Sequence, residues 1–260
     1  MEILRGDGPD TYVVRFSGMD QSHVDLADPT RIVFDYVRRM ADVVDVCAEQ
    51  GVPLRTVHVG GAGMTLPRYV GATRPGSWQV VLEPDEALTE LVRREIPLPR
   101  RSGIKVRAVD GRTGIAAMRD RQAQVVVIDA FAEAQVPADL VTLEFFESVS
   151  RVLEPDGLVL LNLTDRAPFP WSRRVVAGLR EVFGILMLSA EPATLRGRRF
   201  GNLLVVASRG GVPERALAAR AASSPAPYRV LGPDLVRDSF GGGRAFTDAD
   251  TECSPVSRPG

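Results

Sequence analysis

The chain has 260 residues, of which 45% are hydrophobic and 25% charged, so it can bury a sizeable core as one larger domain with small additions. The net charge of −1 shows no basic excess, which argues against a nucleic-acid-binding protein. Two cysteines without metal-like spacing predict neither a disulfide framework nor a metal site. The same cysteine usage fits a reducing cytoplasm. An N-terminus without a long apolar run predicts no signal peptide, and the lack of any stretch of about 18 apolar residues predicts no membrane contact.

The predicted elements begin with a short strand at 11–16, a polar loop at 18–30 and a helix at 29–50. Pro29 after Asp28 is typical of a first helical turn with its cap, and apolar residues then recur at helical spacing. This first stretch therefore predicts a small β element joined to a helix.

From residue 54 onward, apolar strands and amphipathic helices alternate. Strands are expected at 54–61, 78–84, 104–111, 123–131, 157–165, 185–190 and 202–208. Helices are expected at 64–73, 85–95, 112–119, 139–153 and 171–183. The strands are runs of Val, Ile and Leu with little polar alternation, which is typical of a parallel sheet covered by helices on both faces. The pattern predicts a doubly wound, Rossmann-like α/β fold with a mostly parallel, seven-stranded sheet.

The composition changes after residue 209, where the chain becomes rich in Gly, Pro and Ser towards its end. Such a composition predicts a flexible tail. We therefore expect three parts: a short N-terminal β element and loop at 1–28, a Rossmann-like domain at 29–210, and a C-terminal helix with a flexible tail at 211–260.

A glycine-rich loop, Gly60-Gly61-Ala62-Gly63, ends the strand at 54–61 and precedes a helix. Glycines let the backbone turn sharply and approach a ligand without a Cβ in the way. Free N–H groups at the start of the next helix can face a carboxylate or a phosphate. The loop predicts a ligand cradle, with a plain turn at the strand end as the alternative.

Three acidic residues end the next strands at the same edge of the predicted sheet, where ligands of open α/β folds bind. Glu83 can accept both hydroxyls of a ribose, Asp110 can accept an adenine amino group, and Asp129 ends the fourth strand. The alternatives are a helix-cap neighbour for Glu83 and an Asp-Gly turn for Asp110 with Gly111. The loop matches neither GxGxxG nor a P-loop with GK[ST], which favours an adenosyl ligand without a polyphosphate.

Several motifs occur in an order and spacing that point to a known family. They are HVGGAGMTLPR, VVLEPD, VRAVDGR, VVVIDAF and LEPDGLVLLNL. With them the chain resembles the spermidine/spermine synthase (polyamine aminopropyltransferase) family over roughly residues 17–208. Its DQSHVDLADPTR loop, YVRRM helix and TDAD…SP tail further resemble those of short actinobacterial spermidine-synthase-like proteins. The resemblance implies the S-adenosylmethionine-dependent methyltransferase fold and a cytoplasmic enzyme of polyamine biosynthesis, and it allows a homodimer.

By this resemblance, the co-substrate is decarboxylated S-adenosylmethionine or S-adenosylmethionine itself, no metal takes part, and the partner is a small-molecule amine or other acceptor. Gln21 would contact the nucleoside, Glu83 the ribose and Asp110 the adenine. Asp129 would orient or deprotonate the attacking amine, and Tyr36 would be the active-site tyrosine. The other implied nucleoside contacts are Gly60, Gly61, Ala62, Gly63, Gly111, Asp129 and Ala130.

Two carboxylates of the family pattern are absent from this sequence. Gly63 occupies the place of an aspartate that pairs with the aminopropyl ammonium group, and Ala132, beside Glu133, occupies the place of one that binds the far amine. Each such contact is worth about 1.5–3 kcal/mol, so losing both would lower the affinity for a diamine by about 10²–10⁴-fold. We therefore expect the adenosyl site to be kept and the polyamine site to be eroded.

The sequence leaves three hypotheses open for the function. The first is an aminopropyltransferase-like enzyme acting on an amine, with Glu133 as a substitute carboxylate. The second is an S-adenosylmethionine-dependent methyltransferase, because an aspartate at position 63 would repel the carboxylate of the intact co-substrate. The third is a non-catalytic nucleoside-binding homologue. The resemblance ranks aminopropyl transfer first.

Overall fold

The computed structural model of the protein describes residues 1–16 and 18–256. Contacts between backbone positions divide the chain into two compact units, Met1–Gly114 and Ile115–Gly260. The division falls inside the range predicted for the Rossmann-like domain, so it does not coincide with the boundaries expected at residues 28 and 210. Each unit has its own strands, helices and buried side chains.

The first unit begins with a three-stranded antiparallel sheet, formed by β1 (Glu2–Arg5), β2 (Thr11–Phe16) and β3 (Met19–Asp25). The sequence predicts only β2, because the residues of β3 are mostly polar and are typical of a loop. The second half of β3 is nevertheless buried. Val24 of β3 packs with Val14 and Met64 in a hydrophobic cluster of this unit, and that packing holds the strand in place.

The rest of the first unit alternates helices and strands. Its elements are α1 (Asp35–Val46), β4 (Arg55–Val59), α2 (Thr65–Thr73), β5 (Trp78–Leu82), α3 (Glu86–Glu95), β6 (Ile104–Arg107) and α4 (Gly111–Ala116). β5 lies between β4 and β6 and is parallel to both, with Val57 opposite Val80. Val57, Val80 and Val81 are fully buried, as their continuous apolar sequence predicts.

Helix α1 begins at Asp35 and not near residue 29. The carboxylate of Asp28 accepts hydrogen bonds from the amide and the hydroxyl of Thr30, at 2.9 and 2.5 Å, and closes a local turn. The prediction that Asp28 caps the helix is therefore wrong, because this aspartate bonds a residue two positions along the chain in a turn that precedes the helix.

The described residues of the second unit form five strands, with helices between them. The elements are β7 (Ala123–Ile128), α5 (Leu143–Val152), β8 (Leu153–Asp165), α6 (Pro170–Phe183), β9 (Ile185–Ala190), α7 (Pro192–Leu195), β10 (Gly201–Ser208), α8 (Glu214–Ser223), β11 (Arg229–Leu231) and α9 (Pro233–Phe240). The strand order is β11-β9-β10-β8-β7. β7 and β8 are parallel, whereas β10 is antiparallel to both β8 and β9. The short β11, antiparallel to β9, is a strand that the sequence does not predict.

These elements confirm the predicted α/β class with a mostly parallel sheet. A strand lies in each of the seven predicted strand ranges. The pairs β4–β5, β5–β6 and β7–β8 are parallel.

The lengths of the helices can be compared with the length that a membrane-spanning helix requires. The helix α6 has 14 residues, and no helix within residues 1–16 and 18–256 is long and apolar enough to cross a membrane. The cytoplasmic location and the homodimer stay predictions.

Residues 244–256, here called the C-terminal segment, are anchored on the second unit. Phe246 is fully buried and packs on Trp171, with 6.0 Å between the ring centroids. The indole N–H of Trp171 donates to the carbonyl of Glu252 at 3.0 Å. The composition of this segment predicts a flexible tail, and the structure differs because a few aromatic and hydroxyl side chains fix its backbone.

Ser254 is fully buried and ties the C-terminal segment to the loop after β7. Its hydroxyl accepts a hydrogen bond from the amide of Val136 at 2.9 Å. We expect Ser254→Ala to lower the free energy of unfolding by about 1–3 kcal/mol, because the buried Val136 amide loses this partner. Chemical denaturation measures the loss. Ser223→Ala, at the exposed end of α8, is the control, and an equal loss in both variants would contradict the prediction.

Candidate functional site

The loop Gly60–Gly63 of the first unit forms a tight turn between β4 and α2. Gly60, Ala62 and Met64 have positive φ angles of 92°, 37° and 58°. The amide of Gly60 donates to the carbonyl of Leu82 at 3.0 Å, which fixes the turn against β5. Positive φ costs about 1–3 kcal/mol at residues that carry a Cβ, so Ala62 and Met64 hold backbone strain here. Such strain occurs at ligand-binding turns, and the binding of a ligand by this loop stays a prediction.

Glu83 lies beside this loop and is held by two backbone N–H groups. Its Oε2 accepts from the amide of Gly61 at 2.9 Å, and its Oε1 accepts from the amide of Asp85 at 3.0 Å. A Cβ at Gly61 would stand 2.9 Å from Cγ1 of Val81 and 3.4 Å from the Glu83 carboxylate, so this close approach requires glycine. Each carboxylate oxygen has a second lone pair that can accept a ribose hydroxyl. The structure thus brings together two predicted site residues.

Gly63 is closed off by the N-terminal sheet. Its amide donates to Oγ of Ser22 at 3.1 Å. A Cβ at position 63 would lie 2.8 Å from Cβ of Ser22 and 2.9 Å from Cγ2 of Val24, which is too close for real side chains. The position therefore has no room for the aspartate of the family pattern. Nothing in the sequence marks Ser22, which lies in the range predicted to be a polar loop.

A buried arginine, Arg68 of α2, lies next to the loop backbone. Its Nε donates to the carbonyl of Gly63 at 3.2 Å, and its terminal nitrogens donate to the carbonyls of Ile96 and Pro97. Burial lowers the pKa of this guanidinium to about 10, so it stays protonated at neutral pH. The positive charge favours an anionic over a cationic ligand group close to Gly63. The sequence analysis does not predict this residue.

Asp110 immediately precedes α4, and its side chain bonds the first turn of that helix. Its Oδ1 accepts from the amide of Thr113 at 2.8 Å, and this bond holds the pKa of the carboxyl below its usual value. Asp110 is exposed, and Gly111 is the first residue of the helix. This geometry is that of a helix N-cap and not of the Asp-Gly loop turn expected as the alternative. A contact between Asp110 and an adenine stays a prediction.

Gln21 of β3 and Tyr36 of α1 are brought together in the first unit. The Tyr36 hydroxyl donates a long hydrogen bond, 3.5 Å, to the carbonyl of Gln21. The ring of Phe34 stacks on that of Tyr36, with 6.1 Å between centroids. The predicted contacts of Gln21 with a nucleoside and of Tyr36 with reacting groups are not tested by this geometry.

In the second unit, Asp129 and Ala130 directly follow β7. Oδ1 of Asp129 accepts from Nδ2 of Asn162 at 2.9 Å, and Oδ1 of Asn162 accepts from Nδ2 of Asn202 at 3.1 Å. Burial raises the pKa of Asp129 to about 6, and the Asn162 bond counteracts part of the rise. A carboxyl with a pKa near neutrality can exchange a proton with a substrate. The sequence analysis does not predict Asn162 or Asn202 as site residues. Asn162 could have been noticed, because it is a polar residue within the apolar run LVLLNL.

The turn that follows Asp129 presents Glu133 to solvent. Ala132 and Gln135 form a short antiparallel bridge, and Glu133 and Ala134 lie between them with φ angles of +50° and +63°. Glu133 is exposed. An exposed carboxylate is screened by water and binds a cation weakly, so Glu133 is a poor replacement for a buried acidic residue.

Known proteins resemble this chain over different parts of its length. A polyamine aminopropyltransferase from Chromobacterium violaceum is 24% identical over 143 residues, which cover 55% of this chain and 53% of that protein. The crystal structure of a probable spermidine synthase from Corynebacterium glutamicum is similar with a TM-score of 0.87 and 28% identity, covering 99% of this chain and 95% of that one. Human methyltransferase-like protein 13 in complex with SAH has a TM-score of 0.56 and 21% identity, covering 83% and 96%. No family model matches the chain.

The extent of each similarity decides what it supports. The chain spans about half the length of the polyamine aminopropyltransferase that it matches. The likeness to the human protein, at 21% identity, shows the fold alone. The likeness to the probable spermidine synthase covers nearly all of both chains. Together the comparisons confirm the resemblance and the fold class that the motifs predict, while the actinobacterial subgroup stays a prediction.

Proposed function

We propose that the chain, which resembles the spermidine-synthase-like proteins, is a transferase that binds an S-adenosylmethionine-type nucleoside and moves an aminopropyl group to an amine. Decarboxylated S-adenosylmethionine is the proposed donor of that group, and the acceptor is a small-molecule amine. The resemblance supports the reaction type. The geometry of the first unit supports the nucleoside site.

One observation carries the nucleoside site, namely the contact between Glu83 and Gly61. The carboxylate is fixed by two backbone N–H groups next to a strained turn, at 2.9 and 3.0 Å. A carboxylate held in this way keeps its remaining lone pairs in constant positions, so it can bind two ribose hydroxyls without further ordering. Gln21 and Asp110 are proposed as further nucleoside contacts in the same unit.

The proposed reaction is a displacement at the carbon that joins the aminopropyl group to the sulfonium. The amine lone pair forms the new N–C bond, the C–S bond breaks, and methylthioadenosine leaves with the bonding electrons. Asp129 takes the proton that the nitrogen loses, which suits a carboxyl whose pKa is about 6. Tyr36 is proposed to orient the reacting groups, since alignment supplies much of the rate of such a step.

Methyl transfer from intact S-adenosylmethionine is the second candidate, and the surroundings of Gly63 favour it. No side chain fits at this position, and the cationic Arg68 bonds the Gly63 carbonyl. An aminopropyl ammonium group therefore meets no carboxylate at position 63. The carboxylate of intact S-adenosylmethionine would instead be attracted by the arginine.

Titration calorimetry with adenosyl ligands separates the two candidates. Tighter binding of decarboxylated S-adenosylmethionine or methylthioadenosine than of S-adenosylmethionine supports aminopropyl transfer, and the reverse order supports methyl transfer. Absence of binding by all three ligands would show that the proposed nucleoside site is wrong.

Glu83→Gln tests the ribose contact directly. We expect it to weaken the binding of the preferred ligand by about 10–100-fold, because hydrogen bonds to a charged carboxylate contribute about 1.5–3 kcal/mol. Glu86→Gln makes the same change of charge at an exposed position of α3 and should leave the affinity unchanged. Equal affinities of Glu83→Gln and the unmodified protein would contradict the ribose contact.

A further inference from the structure

Three polar side chains, here called the polar row, cross neighbouring strands of the second unit: Asp129, Asn162 and Asn202. Ile128 of β7 lies opposite Leu161 of β8 in a parallel register, so Asp129 and Asn162, the next residues, lie side by side. Asn202 on β10 is the diagonal neighbour of Asn162 across the antiparallel pair. The register of the strands therefore makes the row continuous.

Asn162 is only 1% exposed and interrupts an otherwise apolar stretch of β8. Burial of an amide is costly unless its polar atoms are paired. Both are paired here, because Nδ2 donates to Asp129 at 2.9 Å and Oδ1 accepts from Asn202 at 3.1 Å. An apolar residue could fill the same space in the core. We therefore look for the role of the amide in its hydrogen bonds to Asp129 and Asn202.

The hydrogen bonds of the polar row all run in one direction, because each asparagine N–H group donates towards Asp129. Asn202 donates to Asn162 only if Asn162 turns its oxygen towards it, and this turns the Asn162 N–H group towards the carboxylate. An ionised carboxylate only accepts hydrogen bonds, whereas a protonated carboxyl also donates one. Asn202 thus orients Asn162 in the way that favours the ionised form of Asp129.

We propose that Asn162, oriented by Asn202, is a positioning residue that holds Oδ1 of Asp129 and leaves Oδ2 to take the proton from the acceptor amine. The inference rests on the proposed function, in which Asp129 is the base. The nitrogen lone pair forms the new bond to carbon. The N–H bond then breaks, its electron pair stays on nitrogen, and Oδ2 binds the proton.

Two acidic groups on or next to β7 and β8, Asp165 and Glu133, are respectively engaged elsewhere and exposed. Asp165, at the end of β8, accepts hydrogen bonds from the amide and the hydroxyl of Ser172 at 3.0 and 2.8 Å. Glu133, in the turn after β7, is exposed. Within the described part of the chain, burial and the Asn162 bond are the causes that act on the pKa of Asp129. The Asn162 bond is therefore the specific contact that favours the ionised form.

The pKa of Asp129 is measurable by ¹³C NMR of protein labelled at the aspartate carboxyl carbons, with Asp129→Asn identifying the signal. We expect Asn162→Leu to raise this pKa by about one pH unit or more, because the bond to the charged form is lost while burial remains. The acidic limb of the pH profile of kcat should move with it. Asn202→Ala, at a partly exposed position, should cause a smaller rise and serves if Asn162→Leu does not fold.

Thr164→Val is the control for a loss of polarity beside the polar row, because Thr164 lies opposite Asn202 and two residues from Asn162, and its hydroxyl contacts Ser254. It should leave the pKa of Asp129 in place. An unchanged pKa in both asparagine variants, or an equal rise in the control, would overturn the inference. If the pKa rises in the asparagine variants but Asp129→Asn keeps full turnover, the effect of the polar row on Asp129 is upheld and the role of Asp129 as the base is wrong. A failure of the inference can therefore be distinguished from a failure of the proposed function.

Discussion

Asp129→Asn is expected to lower turnover by about 10²–10⁴-fold, the range that general acid–base catalysis contributes. Asparagine keeps the shape of the side chain, and its carbonyl oxygen can still accept the hydrogen bond from Asn162. The amide of asparagine cannot take up a proton near neutral pH, so it cannot act as the base. We therefore expect kcat to fall by far more than the affinity for the nucleoside, which steady-state kinetics with calorimetry on the same samples would show.

The same substitution is expected to change how stability depends on pH. The pKa of Asp129 is about 6 in the folded protein and 3.8 for the ordinary carboxyl, so the folded state binds this proton more tightly. This tighter binding of the proton stabilises the folded state below about pH 4. The stabilisation, on the order of 2–3 kcal/mol, is lost as the pH rises through 6. Asp129→Asn removes that loss, so the variant should gain stability relative to the wild type between pH 4 and pH 8.

Asp234→Asn provides the control for both measurements. This aspartate has 85% of its side chain exposed, so the same change of charge should affect neither turnover nor the pH dependence of stability. Full turnover of Asp129→Asn would show that Asp129 is not the base, and a stability difference that does not vary with pH would show that its pKa is not raised.

Gly63→Asp is expected to destabilise the first unit by about 3–5 kcal/mol and not to restore an aminopropyl-binding carboxylate. The new Cβ would meet Cβ of Ser22 at 2.8 Å, and the charge would enter a buried position. The bond between the Gly63 amide and Ser22 would also be disturbed. Chemical denaturation gives the loss of stability, and calorimetry shows whether decarboxylated S-adenosylmethionine binds more tightly.

Two alanine variants separate crowding from charge. Gly63→Ala adds only the Cβ and should cost about 1–3 kcal/mol. Gly71→Ala, in α2, is the control, because its Cβ would meet nothing closer than 3.7 Å and a helix favours alanine over glycine. If Gly63→Asp were as stable as the wild type and bound decarboxylated S-adenosylmethionine more tightly, position 63 would have room for a side chain and the prediction would be wrong.

The parts of the fold that could be predicted are those that leave a local pattern. The strands β4, β5 and β7 are continuous runs of buried apolar residues, so their sequences alone indicate a covered, parallel sheet. Gly61 and Glu83 could be predicted as partners because each lies at the end of such a strand. Their hydrogen bond follows from the order of β4 and β5.

The parts that could not be predicted depend on contacts between residues far apart in the chain. Ser22 and Gly63 are 41 positions apart, and Val136 and Ser254 are 118 apart. Neither serine stands in a distinctive local sequence, so β3 is typical of a loop and the C-terminal segment of a flexible tail. Asn162 is different, because its position in an apolar strand is a visible signal, which its contacts with Asp129 and Asn202 explain.

The contact between Ser22 and Gly63 also constrains the order in which this protein can change during evolution. A side chain at position 63 requires that the neighbouring strand first retreat or that residue 22 first become smaller. Residues in contact have effects that depend on one another, so a step that is harmful alone becomes acceptable after its partner has changed. An acidic side chain at position 63 therefore needs at least two substitutions, and the one that makes room has to come first.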